Sequence, residues 1–161
     1  MARPAEGGKS PDFHISEKWL NLYQSICRRG RARGEGYPLF DKYTNFYTLC
    51  ASIGFRLGKK TKLNKSCSPF TLEQVDEDME WPALQAIAWK DLGMEMGVFV
   101  NSRQVIEICN QYAETGIQKL VDKCLVDYLH EDGQLLRPAN LDLEITLCHL
   151  IEIIKKETPP L

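Results

Sequence analysis

Between residues 102 and 129 apolar side chains return every third or fourth position, at Val105, Ile106, Cys109, Tyr112, Ala113, Ile117, Leu120, Val121, Cys124, Leu125 and Tyr128. That spacing keeps them on one stripe of a 3.6-residue helix, whereas a strand would alternate every second residue. A helix with so long an apolar side must be covered by other elements. The chain supplies shorter stripes of the same period. Trp19, Leu22, Tyr23, Ile26 and Cys27 mark a helix over 15–29, and Phe46, Leu49, Cys50, Ile53 and Leu57 mark one over 42–57. Leu84, Ile87, Ala88 and Leu92 mark a third over 82–92, and Leu143, Leu147, Leu150, Ile151 and Ile154 a last one that starts at Asn140 or Asp142 and reaches Lys156. The 161 residues suffice for one buried core and are too few for two typical domains. The expected fold is all-α: a single compact bundle of about five helices over residues 15–157, behind a flexible N-terminal tail over 1–14.

The ends of these helices carry their own signals. Ser16 is placed as an N-cap between Ile15 and Leu20, and Asp41 caps the second helix. Pro82 suits a first helical turn, while Gly58 and Gly93 suit stops. Ala51 and Gly54 are small enough for another helix to approach, and Gly116 marks either a bend or a close crossing. Residues 66–80 read as mostly irregular, with a helical turn near 70–75; residues 94–101 read as a short strand or a buried connection.

Charge is distributed unevenly along this frame. Residues 28–65 hold ten basic groups against Glu35 and Asp41, a net +8, so the remainder carries −10 to reach the total of −2. Such polarity favours a polyanion or an acidic protein surface as partner. The candidate contacts are Arg28, Arg29, Arg31 and Arg33 in one loop, Arg56 at a helix end, and Lys59, Lys60, Lys62 and Lys65 in a second loop. Arginine forks and lysine point charges both suit phosphate oxygens. The two loops flank one helix pair, and the expectation is that they meet in a single patch. Tyr37 and Phe40, interleaved with the basic block, are candidates to touch bases.

Other chemistry is harder to find. The six cysteines include no CxxC or CxH pair, so zinc spacing is absent, and most sit at helical intervals as small core residues. Cys67, in NKSCSPF, is the expected exposed thiol. RLGKK lacks the GxxxxGK[ST] spacing of a phosphate loop, and the acidic run from Glu73 to Glu80 lacks EF-hand spacing. A helix-turn-helix over 83–113 would need a turn longer than the usual three or four residues. His14, in the tail, and His130 and His149 have no nucleophile and orienting carboxylate nearby in sequence. Trp81 and Trp89 read as core anchors. No apolar run approaches the roughly 20 residues of a membrane span, and the N-terminus lacks a secretory stretch. A cytoplasmic binding protein without catalysis, metal or cofactor is therefore expected.

Two segments carry a family resemblance: FDKYTNFYTLCASIGFRLGKKTKL from Phe40 to Leu63, and ICNQYAETGIQKL from Ile108 to Leu120. Through Phe46, Ala51, Gly54, Gly58 and the basic residues after it, then Tyr112, Ala113 and Gly116, residues 37–129 resemble the small Dnd system-associated, or DNA phosphorothioation-associated, proteins. The chain departs from that pattern at Cys50, where alanine is favoured, and at Thr115, where a second glycine is. The resemblance implies an accessory of a bacterial antiphage defence system, working with larger subunits that modify or restrict DNA. It implies no reaction. The basic face would contact DNA backbone, a partner subunit or both; the alternative is a protein-only adaptor docked on an acidic subunit.

Overall fold

A computed structural model describes residues 10–27 and 39–134, with positions 149, 152, 155 and 156 beyond them. It is mostly helical. Strand β1 (Asp12–Ser16) leads through a 3-10 turn (Glu17–Trp19) into α1 (Leu20–Ile26), followed by α2 (Tyr43–Arg56). Strand β2 (Ser66–Thr71), a 3-10 turn (Leu72–Gln74) and α3 (Glu80–Asp91) come next. A further 3-10 turn (Met96–Val100) precedes α4 (Ser102–Leu120). The described elements thus include four α-helices and a two-stranded sheet, so the fold is predominantly helical but not all-α. The expected last helix falls mostly outside the described residues, although positions 149, 152, 155 and 156 are helical.

The centre of the molecule is the crossing of α2 and α4. A Cβ built on Gly54 would overlap the carbonyl of Tyr112, and one built on Gly116 would overlap the carbonyl of Cys50. The two glycines thus face each other's helix reciprocally, which makes the helices antiparallel with their backbones in contact. Gly116 marks a crossing, not a bend. α4 nevertheless ends eight residues before the apolar stripe does: a π-helical turn (Val121–Leu125) and a 3-10 turn (Val126–Tyr128) replace its last part. Val121 and Leu125 stay buried through that change.

The sheet is what the periodicity conceals. β1 and β2 pair antiparallel, Phe13 opposite Phe70 and Ile15 opposite Cys67, with a register shift between Phe13 and Ile15. Pro69, which has no N–H to give, falls at that irregularity, where a ladder bond is not required. Phe13 is fully buried, stacked on Phe70 at 4.9 Å and edge-on to Tyr47 at 5.1 Å. Residues 12–14 therefore belong to the domain and not to a tail, and His14 lies in a strand. Helix α1 is correspondingly shorter than 15–29, since Ile15 is in β1 and Ser16 makes no side-chain cap bond.

The remaining boundaries follow local chemistry. Lys42, not Asp41, is the N-cap of α2, and Asn45 Oδ1 accepts the Lys42 backbone N–H. Gly58 closes the helix at φ +64, and Gly93 follows α3 at φ +68. The acidic run is built into the fold: Asp76 Oδ1 accepts from the N–H groups of Asp78 and Met79. Glu80, buried at the start of α3, accepts from Asn45 and from the Asp76 N–H, tying the first turns of α2 and α3 together. Trp81 is buried and Trp89 packs at the core's edge.

Candidate cationic docking site

Where α2 ends, the chain must turn back across α4, and polar contacts fix its course. Gly58 N–H donates to the Phe55 carbonyl, and Thr61 N–H donates to the Gln111 carbonyl at 3.1 Å. Thr61 and Thr115 hydroxyls meet at 2.8 Å. At the far end the Glu17 N–H donates to the Lys65 carbonyl at 3.0 Å. Residues 58–65 are thus stitched onto α4 at one end and onto the turn after β1 at the other.

This path sorts the four lysines. Lys60 Nζ pairs with Asp91 Oδ2 at 2.9 Å and lies 5.7 Å from the centre of the Tyr112 ring. Tyr112 in turn donates its hydroxyl to Asp91 Oδ1 at 2.6 Å, so both carboxylate oxygens are occupied. Burial, and then that donated bond, push the Tyr112 pKa well up. Lys60 is therefore a fastener between the loop and α3. Lys59, Lys62 and Lys65 are exposed and form no ion pair among the described residues. Arg56, in the last turn of α2, is half-buried.

Two clefts border the segment. One, of about 480 Å³, lies between Lys62, Lys65, Lys18 and Glu114; the other, of about 470 Å³, lies between Lys59, Lys119 and Asp122. Thr61 and Gln118 line both. On the first cleft's wall, Glu114 is only 5% exposed; its two oxygens each accept from the Trp19 indole N–H at 3.1 Å, and Lys18 Nζ lies 3.4 Å away. Lys18 was not among the candidates read from the sequence. It lies 47 residues before Lys65, and only the pairing of β1 with β2 brings the two to one cleft.

The other basic loop enters the picture only through its stems. Arg28, Arg29, Arg31, Arg33 and Tyr37 lie outside the described residues. The Leu39 and Phe40 N–H groups both donate to the Ile26 carbonyl, and Cys27 pairs with Phe40, so the stems meet beside the start of α2. The lysine segment leaves the opposite end of that 14-residue helix, about 21 Å away along its axis. The anchors of the two basic stretches are therefore a helix length apart. Phe40 is half-buried and packs on the core, 5.2 Å from Phe46.

Reactive groups are scarce here. Burial raises the thiol pKa of Cys50, Cys67, Cys109 and Cys124, which disfavours the nucleophilic thiolate. Cys67 is half-buried, not exposed. Among the described residues no cluster of three or more His, Cys, Asp or Glu side chains is placed to hold a metal, and no helix is long and apolar enough to cross a membrane. No family model, curated protein or solved structure matches the chain.

Proposed function

We propose that this protein is a non-enzymatic accessory that docks on a polyanion through Lys59, Lys62 and Lys65, with Arg56 and Lys18 at the margins. The polyanion in this reading is the DNA backbone, and the setting is a bacterial modification or restriction system linked to DNA phosphorothioation. The observation that carries the docking role is the sorting of the lysines. One is spent on holding the segment in place; three stand exposed without ion pairs on a backbone fixed at both ends. A fixed cationic edge binds phosphate without losing as much side-chain and loop freedom as a floppy one. The setting rests on the resemblance across residues 37–129. Lys60 is withdrawn from the contact set in this reading, and Arg28, Arg29, Arg31 and Arg33 stay in it on their charge alone.

A second reading has its own support. Glu17 and Asp122 stand beside the lysines in the two clefts, and such mixed charge suits a protein surface better than a uniform polyanion. In that reading the same edge docks on an acidic subunit. Binding to a duplex of arbitrary sequence at several salt concentrations separates the two. Phosphate contact through three lysines gives a slope of log K against log salt steeper than about −2.7. An adaptor shows no duplex affinity, and instead co-purifies with a larger subunit in a manner abolished by Lys59→Glu, Lys62→Glu and Lys65→Glu together.

A further inference from the structure

A second site lies on the other part of α4, where β1 runs past it. At the register shift between Phe13 and Ile15, the His14 N–H donates to Asn110 Oδ1 at 3.2 Å. A backbone N–H can only donate, so the atom facing it must be the amide oxygen, and this fixes the orientation of the Asn110 side chain. The Tyr47 hydroxyl donates to the same oxygen at 2.7 Å. The oxygen is thus doubly satisfied, while Asn110 Nδ2 donates to nothing among the described residues.

Asn110 is only 8% exposed, yet its nitrogen is not among the buried polar atoms sealed from solvent without a partner. It borders two hollows. The one toward Trp19 and Glu114 has no room for a water molecule; the other is a cleft of about 430 Å³ between β1 and α4. Arg103 and Glu107 line the same cleft from α4, and neither forms an ion pair among the described residues. Positions 103, 107 and 110 share one helix face, and the rise from Arg103 to Asn110 is about 10 Å. Asp12 and His14 line the opposite wall from β1, so α4 presents a donor at one end, a cation at the other and a carboxylate between them to a cleft with a second carboxylate facing it.

We infer that this cleft receives an extended peptide segment of a partner protein. A backbone carbonyl of the segment accepts from Asn110 Nδ2, an acidic side chain about three residues away pairs with Arg103, and a basic side chain between them faces Glu107. The inference does not depend on the lysine edge, which contacts α4 further along.

The test is a titration of the isotope-labelled full chain with acetyl-Glu-Gly-Lys-Ala-amide, followed by NMR. The Asn110 side-chain amide should shift saturably. Asn110→Asp keeps the acceptor for Tyr47 and His14 but removes the donor, and should weaken binding at least about tenfold. Arg103→Gln changes an exposed residue and serves even if the first variant fails to fold; it should weaken binding several-fold, as should replacing the peptide's glutamate by glutamine. No saturable shift would overturn the inference, as would unchanged affinity in Arg103→Gln or a response confined to residues 59–65. Equal shifts with free glutamate would also overturn it, because the cleft would then be a small-zwitterion site.

Discussion

The glycine crossing and the lysine segment both use the same stretch of α4, and they are held to it in opposite ways. At the crossing, Gly54 and Gly116 let two backbones touch, and no side chain intervenes. Close-packed interiors give little when volume is added. A few residues away, Thr61 and Lys60 hold the segment with hydrogen bonds and one ion pair, leaving Lys59, Lys62 and Lys65 outward. The first region tolerates no added atom. In the second, the constraint is confined to the fasteners and to Gly58 at φ +64. The difference separates the residues that place the docking edge from those that would use it.

The comparison can be broken first at the crossing. Gly116→Ala forces the helices apart and should cost about 3 kcal/mol, read as a lowered urea midpoint. A loss under about 1 kcal/mol would mean the helices are not in backbone contact. Next comes the fastener. Asp91→Ala strands the Tyr112 hydroxyl and frees Lys60, and should cost about 2 kcal/mol. If the docking edge is as described, the freed ammonium leaves duplex affinity equal or slightly higher, measured by fluorescence anisotropy. Alkali should act more gradually. Tyr23, Tyr47 and Tyr112 have pKa values raised above the usual 10.0, chiefly by burial. The unfolded chain then loses these protons first, so their contribution is complete below about pH 10 and is lost as pH rises through the folded values. Stability measured across pH 8–12 should fall at the alkaline end, with tyrosine ionisation following unfolding. Smallest of all, a single Lys59→Ala, Lys62→Ala or Lys65→Ala should change stability by no more than about 0.5 kcal/mol in thermal melts.

Much of the helical frame was legible in the sequence because it is written in local spacing. The stripes of α2 and α3 lie within single elements, and Gly58 and Gly93 stop them where φ turns positive. Gly54 and Gly116 announced close approach, though not that they approach each other's helix. The sheet was not legible. Phe13 and Phe70 are 57 residues apart, β2 is mostly serine, cysteine and proline, and an extra residue of β2 shifts the register between them and the next pair. Ile15 satisfied a helical stripe and a strand equally well. The proposed docking edge was half legible: the charge of residues 59–65 stood out, but the pairing of Lys60 with Asp91 and the arrival of Lys18 are tertiary facts. Asn110 gave no signal at all, since the His14 N–H and the Tyr47 hydroxyl that occupy its oxygen come from residues 96 and 63 positions away.

The most direct test of the docking edge compares the full chain with its Lys59→Glu, Lys62→Glu and Lys65→Glu triple variant on duplex DNA across a salt series. Three phosphate contacts predict that the slope of log K against log salt flattens by about 2.7 in the variant, while Lys60→Ala leaves it unchanged. Equal slopes for the full chain and the triple variant, or a larger effect from Lys60→Ala, would contradict the account.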